Sequence, residues 1–158
     1  MTIKSYQEYI QDLLEHEDIQ RLRDTNAHWR RDRLTHCYAV GKLSYRLARF
    51  FHANVTVATR AGFVHDWYHG HQPDRKRFVN PDGHHFRQSV EAASEYGESP
   101  AIVDAIRTHM WPWGRKMPST REAWIVWSAD NVIWLVDIWQ SIKMIGRDRA
   151  KELLYGNR

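Results

Sequence analysis

Apolar residues recur at spacings of three and four along most of the chain, and the same stripes carry histidines and aspartates. That pattern predicts helices packed face to face around polar groups that must find partners. A first helix is expected over about residues 5–21, with Tyr6, Ile10, Leu13 and Leu14 on one face. A second covers about 34–52 (Val40, Leu43, Leu47, Phe50) and a third about 56–67 (Ala58, Ala61, Gly62). Asp82-Gly83 marks a turn before a fourth helix that ends near Gly97. Ser99-Pro100 suits the N-cap and first position of a fifth, which Pro112 stops soon after His109. Ser119 or Thr120 caps a long sixth helix, and residues 146–158 hold a short last one. Few segments alternate as strands do. The expectation is an all-α bundle of about six to seven helices. It forms one domain over 1–158, with its core at about 30–140 and an N-terminal helix within 1–25.

Six residues at five places on those stripes stand out: His36, the adjacent pair His65-Asp66, His85, His109 and Asp130. His36 precedes Val40 and Leu43 on the second helix, His65 continues the Ala58–Ala61–Gly62 face, and His109 continues Ile102, Val103 and Ile106. Asp130 lies in a helix that is apolar nearly all round, beside Trp127, Ile133 and Trp134. An isolated buried carboxylate costs several kcal/mol, which a shared cation offsets. Neighbouring helix positions point about 100° apart, so His65 can serve one ion while Asp66 reaches the same ion and a second. One ion would take His36, His65, Asp66 and Asp130; another would take Asp66, His85 and His109. Mixed nitrogen and oxygen donors favour Fe, Mn, Co, Ni or Zn over Ca. A pair of such ions beside two carboxylates leaves net positive charge, suited to phosphoryl oxygens and to activating water near neutral pH. His84 competes with its neighbour for the role of His85, and Asp137, two turns beyond Asp130, is the alternative carboxylate or a supporting group.

Composition narrows the partners. The formal charge of +4 favours anionic ligands. Cys37 is the sole cysteine, so no internal disulfide forms and a reducing, cytoplasmic setting is expected. The polar, amphipathic N-terminus lacks a signal-peptide core. The most hydrophobic stretch, 123–145, is interrupted by Asp130, Asn131, Asp137 and Lys143, which argues for a buried helix rather than a membrane span. Eight tryptophans predict a heavily aromatic core.

A His-Asp dipeptide alone is expected by chance about once in a chain of this composition. Order, spacing and placement on apolar faces carry far more. The stretches HCYAVGKLSYRLA, AGFVHDW, HHFRQSVEAA, IRTHMWP and REAWIVWSAD resemble the HD superfamily of metal-dependent phosphohydrolases, in a bacterial subgroup where His-Met-Trp-Pro supplies a ligand. The likeness covers about residues 30–140. It implies a helical core, His36, His65, Asp66, His85, His109 and Asp130 as ligands, and a binuclear site with Asp66 at the catalytic centre. The chain departs from the HD-GYP cyclic-dinucleotide phosphodiesterases: Trp-Tyr-His-Gly follows His65-Asp66, with no lysine three positions on, and no Gly-Tyr-Pro triplet occurs.

The segment from Trp67 to His84 lacks periodicity and reads either as a solvated loop or as a lid supplying phosphate contacts from His71, Arg75 and Lys76. His69 stands where related enzymes often carry lysine, so the resemblance implies a proton donor or substrate contact. Trp111, Arg115 and Lys116 suit a base or sugar with its phosphate, or else simply close the bundle end. The basic run from Arg21 to Arg33 reads as solvated surface; without an aromatic groove it argues against nucleic acid. The leading expectation is a phosphohydrolase acting on a small phosphate ester or nucleotide, with homo-oligomers an open option. An HD-fold di-iron oxygenase and a non-catalytic nucleotide-sensing HD domain are the alternatives.

Overall fold

The computed structural model describes residues 4–28, 31–67 and 84–155. Seven α-helices are found there: α1 Tyr6–Leu14, α2 Glu17–Arg21, α3 Arg33–Phe50, α4 Val55–Val64, α5 His84–Tyr96, α6 Pro100–Thr108 and α7 Arg121–Tyr155. Between α2 and α3 lie a 3-10 turn (Leu22–Asp24) and a two-stranded antiparallel ladder, β1 Asn26–His28 with β2 Arg31–Asp32. The ladder is too small to change the class: the chain is all-α.

Most helix starts are written locally. Ser5 and Glu8 close a capping box at α1, with the Ser5 amide donating to Glu8 Oε2 over 2.6 Å. Asp32 accepts from the Thr35 amide at 2.8 Å, Asn54 from Val57, and the Thr120 hydroxyl oxygen from Ala123. Ser99 occupies the N-cap of α6, yet its hydroxyl makes no capping bond; its carbonyl accepts from Ile102 and Val103 instead.

Several expected boundaries move. The first helix does not run unbroken to Arg21. It ends at Leu14, and His16 caps a second short helix through Nδ1. Ile19 and Leu22 lie off the Tyr6–Ile10–Leu13 stripe, so a straight helix would aim them away from the core; the break buries both. On α3 the core face is not Val40–Leu43–Leu47–Phe50. Cys37, Val40, Gly41, Ser44 and Ala48 are buried, whereas Phe50 is 75% exposed. Small residues win that face because α4 comes so close: a Cβ on Gly62 would stand 2.5 Å from Ser44 Oγ and 2.9 Å from Ser44 Cβ. Nor do the described residues 146–155 form a separate C-terminal helix, because α7 continues unbroken to Tyr155.

Two further expectations fail on burial. Of the described tryptophans only Trp67 is fully buried, against His16 and Tyr96, so the core is mostly aliphatic and small. The apolar stretch of α7 is buried only in its first part, through Ala123, Ile125, Val126 and Ala129; between Asn131 and Ile145 Asp137 alone is buried. No helix among the described residues is long and apolar enough to cross a membrane.

Candidate metal centre

Four helices meet with their polar positions turned inward. His36 comes from the first turns of α3, His65 and Asp66 from the end of α4, His109 from the end of α6, and Asp130 from α7. His36, His65 and His109 are at most 2% exposed, Asp66 is buried, and the Asp130 side chain is one-fifth exposed. The cluster is therefore closed toward the core and open at Asp130.

His65 and His109 are positioned by the same local device. Each is the residue at which its helix ends, where carbonyls lack intrahelical donors. His65 Nδ1 donates to the Gly62 carbonyl at 2.9 Å, and His109 Nδ1 donates to the Ile106 carbonyl at 2.6 Å. That fixes the tautomer and leaves each Nε2 lone pair facing the cluster. On His36 the arrangement differs. Nδ1 stands 3.5 Å from Asp137 Oδ2, and Nε2 stands 3.1 Å from Asp130 Oδ1. Asp137 is thus the supporting carboxylate behind a donor.

The spacing fits a cation. Donors each about 2.1 Å from one ion lie roughly 3.0–3.4 Å apart at octahedral or tetrahedral angles. Asp130 Oδ1 is 3.1 Å from His36 Nε2 and 3.4 Å from His65 Nε2. Ligating atoms of His36, His65 and Asp66 lie within 4.8 Å of one another, as do those of His65, His109 and Asp130. Electrostatics agree. Burial works against a charged His36, but Asp130 and Asp137 outweigh it and lift the imidazole to about 9. Burial would raise Asp130, yet His65 and His36 hold its carboxyl well below the usual range. Burial, then His65, push His109 down to about 4, so it stays a neutral donor. Three carboxylates, Asp66, Asp130 and Asp137, gather around these imidazoles, and a divalent ion held there would help balance their charge.

The structure brings together five of the six expected ligands, and the side chain of His85 lies outside the described residues, as do those of His84, His69, His71, Arg75 and Lys76. Among the described residues His109 groups with His65 and Asp130, and the expected set of Asp66, His85 and His109 includes a residue outside them. Two of the three C-terminal candidates have other partners. Trp111 packs edge-on against Trp124 and Trp127, and its carbonyl accepts from Trp127 Nε1 at 2.7 Å. Lys116 is ion-paired with Asp104, and Arg115 is exposed in a left-handed backbone conformation.

One residue was overlooked. Arg33, assigned to a solvated basic run, is 2% exposed and sets its Nε 3.6 Å from Asp66 Oδ2. Its position three residues before His36 was the available signal, since that spacing puts both on one helical face.

Fold and site together define a helical domain whose buried histidines and aspartates can hold a metal ion. A model of the HD domain family matches residues 33–135, from Arg33 in α3 to Leu135 in α7, and the chain belongs to that family. Curated relatives include Ribonuclease Y of Streptococcus pyogenes serotype M5 (strain Manfredo) and of serotype M1, each 40% identical over 76 residues. Those alignments cover 48% of this chain and 13% of each relative. No solved structure matches.

Proposed function

We propose that the chain is a metal-dependent phosphohydrolase acting on a small phosphate ester, a nucleotide among the candidates. The observation that carries this reading is the convergence of His36, His65, Asp66, His109 and Asp130 from four helices onto one buried cluster at donor–donor distances of 3.1 and 3.4 Å. His36, His65, Asp66 and Asp130 would hold one ion; Asp66, His109 and the expected ligand His85 would hold a second. Bound there, such ions polarise a phosphoryl oxygen and lower the pKa of water.

The protein's own groups do the rest. Asp137 fixes the plane of His36, and the Gly62 and Ile106 carbonyls fix His65 and His109. Arg33 places a buried guanidinium beside Asp66, holding that carboxylate and adding positive charge behind the cluster. The apolar wall of α4 and α6 keeps bulk water from the back of the cluster. His69 is our proton donor, and His71, Arg75 and Lys76 are assigned to substrate phosphate. Trp111, Arg115 and Lys116 are weaker candidates for substrate contact, given the partners the first and last already have.

The test is phosphate release after loading with Mn, Fe, Co, Ni or Zn, using nucleotides, generic phosphomonoesters and phosphodiesters, and a short RNA. Asp66→Ala is expected to lose bound metal and at least ~1,000-fold in rate, several kcal/mol of barrier. Full activity in that variant would end this reading. Turnover that requires O₂ and releases no phosphate would point to the oxygenase instead.

A further inference from the structure

The 35 residues of α7 extend about 50 Å at 1.5 Å per residue, roughly twice the length of α3. Its first half packs into the bundle. Beyond Ala129 the exposed apolar residues include a regular series, Val132 (47% exposed), Leu135 (57%), Trp139 (59%) and Ile142 (57%), at steps of three, four and three, with Trp134, Met144 and Ile145 exposed off it. Val136 widens the same stripe. This is the seam spacing by which one helix packs along another. It lies on the side of α7 opposite Asp130 and Asp137, which face the metal cluster.

We propose that this outer stripe of α7 is a homodimer interface, covered by the same stripe of a second copy. Three features select that occupant. The five side chains expose on the order of 500 Å² of apolar surface, taking ~200 Å² for each whole side chain. A standard interface buries ~800 Å² per partner, a little over half of it apolar, so the stripe supplies about one half of a stable dimer. An isologous contact also sets like against like, which a charged stripe could not tolerate. This stripe carries no charge, and Lys143 beside it lies with its ammonium 5.1 Å from the Trp139 ring centroid. Finally, a helix turned outward with one buried side chain in fifteen residues gains little from its own bundle, and helical stability comes mainly from tertiary packing. A second α7 would provide it.

Sedimentation equilibrium on the full chain tests this. The wild type is expected to dimerise at micromolar concentration. Leu135→Glu and Trp139→Glu should each weaken association by ~100-fold or more, because the symmetric contact would bring like charges together. Trp139→Ala should weaken it less, and Phe50→Glu, at an exposed apolar residue outside the stripe, should leave it unchanged. Far-UV circular dichroism and bound metal serve as folding controls, since none of these positions touches the cluster. A monomeric wild type, or a dimer indifferent to both glutamate variants, overturns the proposal. So does a monomer that cosediments with phosphatidylglycerol vesicles through the same residues, which would assign the stripe to lipid.

Discussion

His36 sits between two carboxylates with different tasks. Asp130 faces Nε2 at 3.1 Å, on the side of the cluster that could hold a cation, while Asp137 faces Nδ1 at 3.5 Å and is 4% exposed. A carboxylate behind a ligating imidazole orients the ring and raises its basicity, and losing such a partner typically weakens metal binding 10–100-fold. Asp137→Asn should therefore lower affinity by about that factor in a competition titration while leaving secondary structure intact. Unchanged affinity would leave Asp137 with a packing role only. At this scale the sequence was most readable where a donor type coincided with an apolar stripe, as at His36, His65, His109 and Asp130. It was least readable at Arg33. A guanidinium in a basic run looks solvated until the fold shows it buried beside Asp66, and the pairing joins residues whose proximity depends on how α3 crosses α4.

At the level of elements, the crossing of α3 and α4 sets the distance between His36 and His65, whose ring centroids are 5.3 Å apart. Gly41 and Gly62 permit it: a Cβ on Gly41 would lie 2.7 Å from the Tyr6 hydroxyl and 3.0 Å from Phe63 Cβ. Gly62→Ala must push α3 away, because Ser44 Cβ and not merely its hydroxyl is in the way. The expected cost is ~1–3 kcal/mol, with weaker metal binding as a second consequence. Thermal melts and metal titration read both, and a variant as stable as the wild type would mean the helices part without cost.

A second crossing is held by charge. Arg60 on α4 binds Asp12 of α1, the Tyr9 carbonyl, and Glu98 after α5. Arg60 holds Asp12 down to about 2, from an ordinary 3.8. A depressed carboxylate contributes stability that is present above pH 4 and is lost as pH falls toward 2. Asp12 is half exposed, so solvent screening leaves this at no more than ~1 kcal/mol. Asp12→Asn should remove that part of the acid sensitivity, seen as a smaller drop in melting temperature between pH 5 and pH 3. Arg60→Met should cost more, ~3 kcal/mol, since Glu98 is nearly buried and would lose its partner. Helix existence was legible mainly from periodicity; of the expected caps Thr120 makes its bond and the Ser99 hydroxyl does not. Helix faces were less so, because a close crossing rewards Gly41, Ser44 and Gly62 over the larger Leu43 and Leu47, and spacing alone does not reveal which neighbour comes near.

For the molecule as a whole, the cluster is the point where distant parts of the chain are tied together. His36 and Asp130 are 94 positions apart, and between them the chain contributes α4 and α6. None of these helices owns the site, so a cation that binds all of them binds only the folded arrangement and stabilises it by mass action. At free metal 100–1,000 times the dissociation constant the gain is ~3–4 kcal/mol, which for a chain of this size is about 10 °C in melting temperature. Chelation of metal-loaded protein should produce that drop, and re-addition should reverse it. Asp130→Asn should melt near the chelated wild type and respond little to added metal. The same comparison separates the cluster from the outer end of α7: helix lost only beyond Ala129 would respond to protein concentration, not to chelator. Identical melting with and without metal would mean that the polar centre forms without help from a cation, and the pairing of imidazoles with carboxylates would then be the whole of its structural role.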